Sequence, residues 1–188
     1  TYIQIEVDRF EVSEFYLKKT EDVELNHTVF AKVFRGTSKL QNEKYFLHKG
    51  QKLCEIKLKG ERAIDQGGPF YESISQMCME IESGYLDLFI KTPNNKNDVG
   101  LYREAFIPNP SASLNLKRNA FMFLGKLMAS ALGSGTNLNL NLHPIVWRFI
   151  LGNEIMFNDI ETIDYLFYKQ ISDLTDIAKD AKSDVIDS

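Results

Sequence analysis

The stretch Glu61 to Gly84, ERAIDQGGPFYESISQMCMEIESG, constrains this chain most, because the backbone must change regime there within three residues. Gly67-Gly68-Pro69 admits positive φ and then fixes φ for a first helical turn, so one element ends and a helix begins. Ile74, Met77, Cys78 and Ile81 follow at i, i+3, i+4 and i+7, which predicts one apolar helical stripe, and Ser83-Gly84 closes it. On the other side, Cys54, Ile56 and Leu58 alternate with Glu55, Lys57 and Lys59, as in a strand with one wet face that Gly60 ends.

The same reasoning extends along the chain. Tyr2 to Val7 alternates with the period of a half-buried strand. Residues 8 to 27 are charged and aromatic by turns, and His27 to Phe34 reads as a short helix with Thr28 as its cap and Gly36 as its stop. Tyr85 to Ile90 and Tyr102 to Ile107 read as short strands joined by the polar loop Asn94 to Gly100, a hairpin in outline, with Pro108-Asn109-Pro110 forcing an extended exit. Lys117 to Leu132 is apolar nearly all round, which predicts an inside helix with Phe121, Leu124, Met128 and Leu132 on one stripe, Phe123 and Leu127 beside it, and Gly125, Ala129 and Ala131 allowing close approach.

Beyond Gly133, Pro144 at a first helical position starts a helix over 145 to 151 with Trp147 and Phe149 as bulky anchors, stopped at Gly152-Asn153. Asn158 or Asp159 caps a further helix to about Leu174, with Ile160, Ile163, Leu166, Phe167 and Ile171 spaced for one buried face. Past Thr175 the pattern decays into an acidic, weakly periodic end, and with Thr1 at the start the chain reads as an excised fragment. The expected fold is α+β, mainly α-helical, with small antiparallel β-sheets or hairpins.

Composition removes several function classes. A 188-residue chain, 44% hydrophobic and 26% charged, suits one domain, and a formal charge of -4 gives no electrostatic case for nucleic acid or an anionic membrane as partner. No signal-peptide pattern opens it, so a cytoplasmic or nuclear setting is expected. Two cysteines make no disulfide framework or metal pair. Cys78 sits on the apolar stripe of its helix and Cys54 on the apolar face of its strand, which favours core residues over nucleophiles. His27, His48 and His143 are too scattered for ligand spacing. Gly133-Ser134-Gly135-Thr136 follows a helix and lacks the lysine of a phosphate loop, so a plain turn is expected. Asp65 reads better as a helix cap than as a catalytic carboxylate, because no second carboxylate is placed to pair with it. The lysines between Lys44 and Lys59 read as a solvated strand face. No catalytic, cofactor-binding or metal residue is assigned, and no cofactor is expected.

Taken in order, several stretches resemble the HECT-type ubiquitin ligase domain, specifically the large subdomain of its N-terminal lobe, and look nearest to the giant HERC ligases. They are Ile64-Asp65-Gln66-Gly67-Gly68, similar to the family's Asp-x-Gly-Gly turn, then SGYLDLFIKTPN at Ser83 to Asn94 and YREAFIPNPSA at Tyr102 to Ala112. FMFLGKLMASAL at Phe121 to Leu132 follows, then Leu138 to Gly152 with His143-Pro144 and Trp147, and Asp159 to Ile171 with Asp164. Order and spacing agree over about residues 28 to 174. Tyr71-Glu72-Ser73 departs from the Arg-Glu-aromatic sequence that many members carry after the glycine turn.

The resemblance implies that residues 1–176 are a partial N-terminal lobe and that 177–188 are an acidic tail, the truncated start of the next subdomain. It further implies a parent that accepts ubiquitin from a conjugating-enzyme (E2) thioester on its own cysteine and passes it to a substrate lysine. The E2-docking subdomain and the catalytic cysteine would both lie beyond Ser188, so ubiquitin and E2 are partners through the full-length parent and the fragment is expected to be inactive. Two other readings fit the same residues: a non-catalytic protein-interaction module with a HECT-like fold, and a free-standing cysteine or metal hydrolase, which needs an exposed cysteine beside a histidine.

Overall fold

The structure is a computed structural model that describes residues 3–60, 68–112 and 114–186, with side chains to 179. Asp65 and Gly67 of the glycine turn lie outside the described residues. The chain divides into two compact units, one of Thr1–Ile90 with Pro108–Leu140 and one of Lys91–Ile107 with Asn141–Ser188.

In the first unit, β1 (Gln4–Val7) and β2 (Glu55–Leu58) pair in register from Gln4 with Glu55 to Val7 with Leu58. The pairing is parallel, which corrects the expectation of antiparallel sheets there. A parallel pair needs a long crossover. Here it is α1 (Arg9–Leu17), α2 (Val29–Thr37) and a 3-10 turn at Asn42–Tyr45. Both strands bury alternate residues, Ile5 and Val7 against Ile56 and Leu58, as their alternation predicts.

Sequence periodicity missed α1, because it buries only Val12 and Phe15 and leaves Phe10 and Leu17 exposed. Its start is nonetheless encoded: the Asp8 carboxylate accepts from the N–H groups of Phe10 at 3.0 Å and Glu11 at 3.2 Å. Thr28 caps α2 as expected, its hydroxyl accepting from Ala31 N–H at 3.1 Å, but the helix runs through Gly36 to Thr37. Gly36 serves packing instead, since a Cβ there would lie 2.9 Å from Ile5 side-chain carbons.

α3 (Gly68–Glu82) buries Ile74, Met77, Cys78 and Ile81 as its spacing predicts and packs against α2 and β2. α5 (Asn115–Ser134) is less buried than its composition suggests. Its inner stripe is Ala120, Phe123, Leu124, Leu127 and Ala131, with Phe123 edge-on to Phe30 at 5.2 Å, whereas Phe121 and Met128 are half-buried and Leu132 is 87% exposed. A Cβ at Gly125 would meet nothing, so the close approach comes elsewhere. At Gly133 a Cβ would stand 2.2 Å from the Leu47 carbonyl oxygen. Alanine there is therefore expected to destabilise the chain by about 2 kcal/mol in urea unfolding despite its better helix propensity, because helix and loop must separate. Gly135, at φ 75°, then ends α5, and 133–136 is a plain helix end, with Thr136 N–H bonded to Ala131 O at 2.9 Å.

β3 (Phe89–Lys91) and β4 (Phe106–Pro108) form the second two-stranded sheet. Asn109 N–H bonds Leu88 O at 2.8 Å and Thr92 N–H bonds Ala105 O at 3.3 Å, so partner numbers fall as the chain advances, the antiparallel arrangement expected here. The strands are shorter than predicted. Their link is not all loop, because Thr92 caps and Pro93 opens the single helical turn α4 (Pro93–Asn97).

In the second unit, α6 (Pro144–Ile150) begins at Pro144 as predicted, but Trp147 is 43% and Phe149 73% exposed, so neither is an anchor. The buried side of this short helix is His143 and Val146, and Trp147 and Phe149 fall off it. The single helix expected after Asn158 is two, α7 (Asp159–Ile163) and α8 (Tyr165–Ile186), broken at Asp164 with φ -140°. Asp164 turns its carboxylate to the Phe167 N–H at 3.1 Å and so caps α8. The face predicted to be buried is not: Leu166 and Phe167 are exposed, and Ile160, Ile163 and Ile171 only half-buried. α8 also continues past Thr175, where the sequence pattern decays.

Candidate functional site

The buried polar groups of the first unit converge on the start of α2. Glu80, fully buried on α3, accepts from the N–H groups of Val29 at 2.8 Å and Phe30 at 2.7 Å, two donors that a helix leaves without internal partners. Tyr16 of α1 donates its hydroxyl to the same carboxylate and accepts from Gln76 Nε2 at 2.6 Å. Asp22, 2% exposed, supplies a second carboxylate to the same helix end. Its Oδ2 accepts from His27 N, Thr28 N and Thr28 Oγ1 at 2.8 to 3.0 Å, and its Oδ1 from Asn26 N at 2.8 Å. Among the described residues neither carboxylate meets a cation. Burial pushes the Glu80 carboxyl up to about 7 against the pull of its three donors, and burial with the Glu80 charge pushes the Tyr16 phenol up.

A second cluster holds Asp87, which has a positive φ of 49°. Lys117 of α5, buried along its stem, reaches Asp87 at 2.5 Å and Glu21 at 2.8 Å, while Asn109 donates to Asp87 Oδ1 at 2.8 Å.

In the second unit the corresponding hub is Asn94, fully buried on α4. Its amide nitrogen lies 3.2 Å from Leu101 O, 3.1 Å from Glu161 O and 3.0 Å from Thr162 O, and its oxygen accepts from Tyr165 N–H at 2.8 Å. One side chain thus closes the end of α7 and opens α8. His143, 1% exposed, accepts from Ile145 N–H at 3.2 Å through Nδ1, which leaves Nε2 as the donor to Thr162 O at 2.9 Å. Burial lowers its pKa and favours the neutral ring. Arg148 grips Asp159 and the Glu154 carbonyl, while Asp159 accepts from Met156 N–H at 2.7 Å.

None of these clusters has the form of a nucleophile beside a base. Cys54 and Cys78 are free and buried, 1% and 4% exposed, and burial pushes the Cys78 thiol up, away from the reactive thiolate. His27 stacks on Phe15 with ring centres 5.0 Å apart, His48 is exposed, and His143 is committed to helix capping. Among the described residues no group of three or more His, Cys, Asp or Glu could hold a metal ion, and no helix is long and apolar enough to cross a membrane. Sequence reasoning assigned none of Glu80, Asp22, Asn94 and Lys117. A signal existed for Glu80, which lies three residues after Met77 on the apolar side of α3.

Two buried hubs, Asn94 and His143, lie in the stretches that carry the HECT resemblance. The family model of the HECT domain (ubiquitin-transferase) matches residues 75–187, more than half of the chain. The chain belongs to the HECT family. It is similar to the human E3 ubiquitin-protein ligase HERC2, 33% identical over 113 residues, which cover 60% of this chain and 2% of that protein. The E3 ubiquitin-protein ligase TOM1 of Saccharomyces cerevisiae is 28% identical over 141 residues, 72% of this chain and 4% of that protein. UPL1 of Arabidopsis thaliana, also an E3 ubiquitin-protein ligase, is 28% identical over 131 residues, 65% of this chain and 3% of its own length. The matched region is thus a small part of each of these relatives.

Proposed function

We propose that this chain is part of the N-terminal lobe of a HECT E3 ubiquitin ligase, with residues 1–176 as scaffold and 177–188 as the start of the subdomain that follows. The family match over residues 75–187 carries the reading. In the parent, a cysteine thiolate attacks the E2–ubiquitin thioester carbonyl and the E2 thiolate leaves. A substrate lysine amine then attacks the new thioester, the isopeptide bond forms, and the ligase thiol is released. Ubiquitin and E2 are the partners, met through the full-length protein.

The scaffold role is supported by what the polar side chains do. Glu80, Asp22, Asn94 and His143 are spent on helix ends, and both cysteines are buried thiols. Leu166, Phe167, Leu174 and Ile177 leave apolar surface on α8 that the following subdomain would cover. Free thiols favour a cytoplasmic or nuclear setting. Sequencing the parent transcript past the codon for Ser188 tests the proposal. A frame that continues into a helical segment and a second lobe with a cysteine near its end is expected. A stop codon directly after Ser188 would overturn it in favour of a non-catalytic interaction module.

A further inference from the structure

The carboxylate of Glu80 is fully buried, yet it is one link from solvent. Tyr16 and Gln76 line a cleft of about 170 Å³ together with Ser73, Val12, Val29 and the Arg9–Glu72 pair, and Tyr16 connects Gln76 to Glu80. With Glu80 ionised, hydrogen bonds run inward: the Gln76 amide N–H donates to Tyr16, and the Tyr16 O–H donates to Glu80. The chain of groups has a second complete arrangement. A proton delivered from water forms an O–H bond on Glu80 Oε1, this O–H donates to the Tyr16 oxygen, and the Tyr16 O–H turns to Gln76 Oε1 after a half-turn of the amide. In both arrangements Val29 and Phe30 keep an oxygen to donate to, so the two differ by one proton and by hydrogen-bond direction, with no partner lost.

We propose that Glu80, Tyr16 and Gln76 form a proton-linked latch, loaded from the cleft, whose state sets how firmly α1 and α3 hold the start of α2. The ionised state is the looser one. It leaves a buried negative charge facing the Asp22 carboxylate across the same helix end, and among the described residues no cation pairs with either. The other titratable groups around it do not supply one. Tyr85 packs on the Tyr16 ring at 4.8 Å and donates to Tyr16 O at 3.3 Å; Arg9 is paired with Glu72 at the cleft; and His27 lies 3.8 Å from Glu11. Tyr16, Val29 and Phe30 precede the residues matched by the HECT family model, while Gln76 and Glu80 lie within them.

Carbon-13 NMR of glutamate side chains in the 188-residue chain between pH 5 and pH 9 tests this. One carboxyl carbon is expected to titrate near neutrality, to vanish in Glu80→Gln, and to move to higher pH in Tyr16→Phe, which removes a hydrogen bond to the ionised form. Amide exchange at Val29 and Phe30, corrected for intrinsic base catalysis, is expected to speed up on the order of a hundredfold across the same range and to keep doing so in His27→Gln. The proposal fails if no glutamate carbon titrates above about pH 6. It also fails if Tyr16→Phe leaves the midpoint in place, a readout that stands even if Glu80→Gln does not fold, or if His27→Gln abolishes the exchange effect.

Discussion

Replacing Glu80 with alanine is expected to destabilise the chain by about 2–4 kcal/mol at pH 8 and by more at pH 5, measured by urea unfolding at the two pH values. The loss has two sources. The N–H groups of Val29 and Phe30 and the Tyr16 hydroxyl lose their acceptor inside the protein, where each unsatisfied donor costs about 1–3 kcal/mol, and the truncated side chain leaves a cavity. Relief of the buried charge offsets part of it. The folded carboxyl is held at about 7 against an ordinary 4.5, so the native state keeps a proton that the unfolded chain releases. This group's stabilisation is full below pH 4.5, falls as pH rises through 7, and is then lost, a change of about 3 kcal/mol. The variant has no such slope. Its deficit against the unsubstituted protein is therefore larger in acid, the reverse of the usual behaviour of an ion-paired carboxylate. A deficit that is equal at both pH values, or larger at pH 8, would show that Glu80 does not carry this linkage.

Asn94→Ala is expected to cost about 3 kcal/mol and to lower the melting temperature by roughly 6–12 °C in a calorimetric scan. Three carbonyls and one N–H lose a buried partner at once, and these are the groups left open where α7 stops and α8 starts. Asn94→Asp separates donor from acceptor roles. It preserves the acceptor for Tyr165 N–H and, when ionised, sets a charge against the carbonyls of Leu101, Glu161 and Thr162. Its deficit at pH 7 is expected to equal or exceed that of alanine and to shrink in acid as the carboxyl takes up a proton. If either variant melts with the unsubstituted protein, Asn94 is not the hub of this unit.

What could be read in the sequence follows from how local the determinant was. The Thr28 cap, Pro144 at a helix start and the stripe from Ile74 to Ile81 are decided within one or two turns, and all three stand where periodicity and cap chemistry place them. The parallel pairing of β1 with β2 joins residues about fifty apart, and alternation alone does not reveal a strand's direction. The predicted inward stripes of α5 and α8 held only in part, with Phe123, Leu124 and Leu127 of α5 buried as their spacing predicts. Which part of a helix face is buried depends on what lies beside it, so Leu132 and Phe167 stand exposed. The carboxylate cluster was hidden because Asp22 and Glu80 are far apart in sequence and meet only through the end of α2. The family, by contrast, was legible from six short stretches in order, two of which contain Asn94 and His143.

The most direct test of the central claim is to offer ubiquitin, as an E2 thioester, to this chain and to its longer parent, and to resolve the products with and without reductant. No reducible ubiquitin adduct is expected on the 188-residue chain. On the parent a reducible adduct is expected that survives replacement of both Cys54 and Cys78 by serine. A reducible adduct on Cys54 or Cys78, or a parent that fails to form one at all, would contradict it.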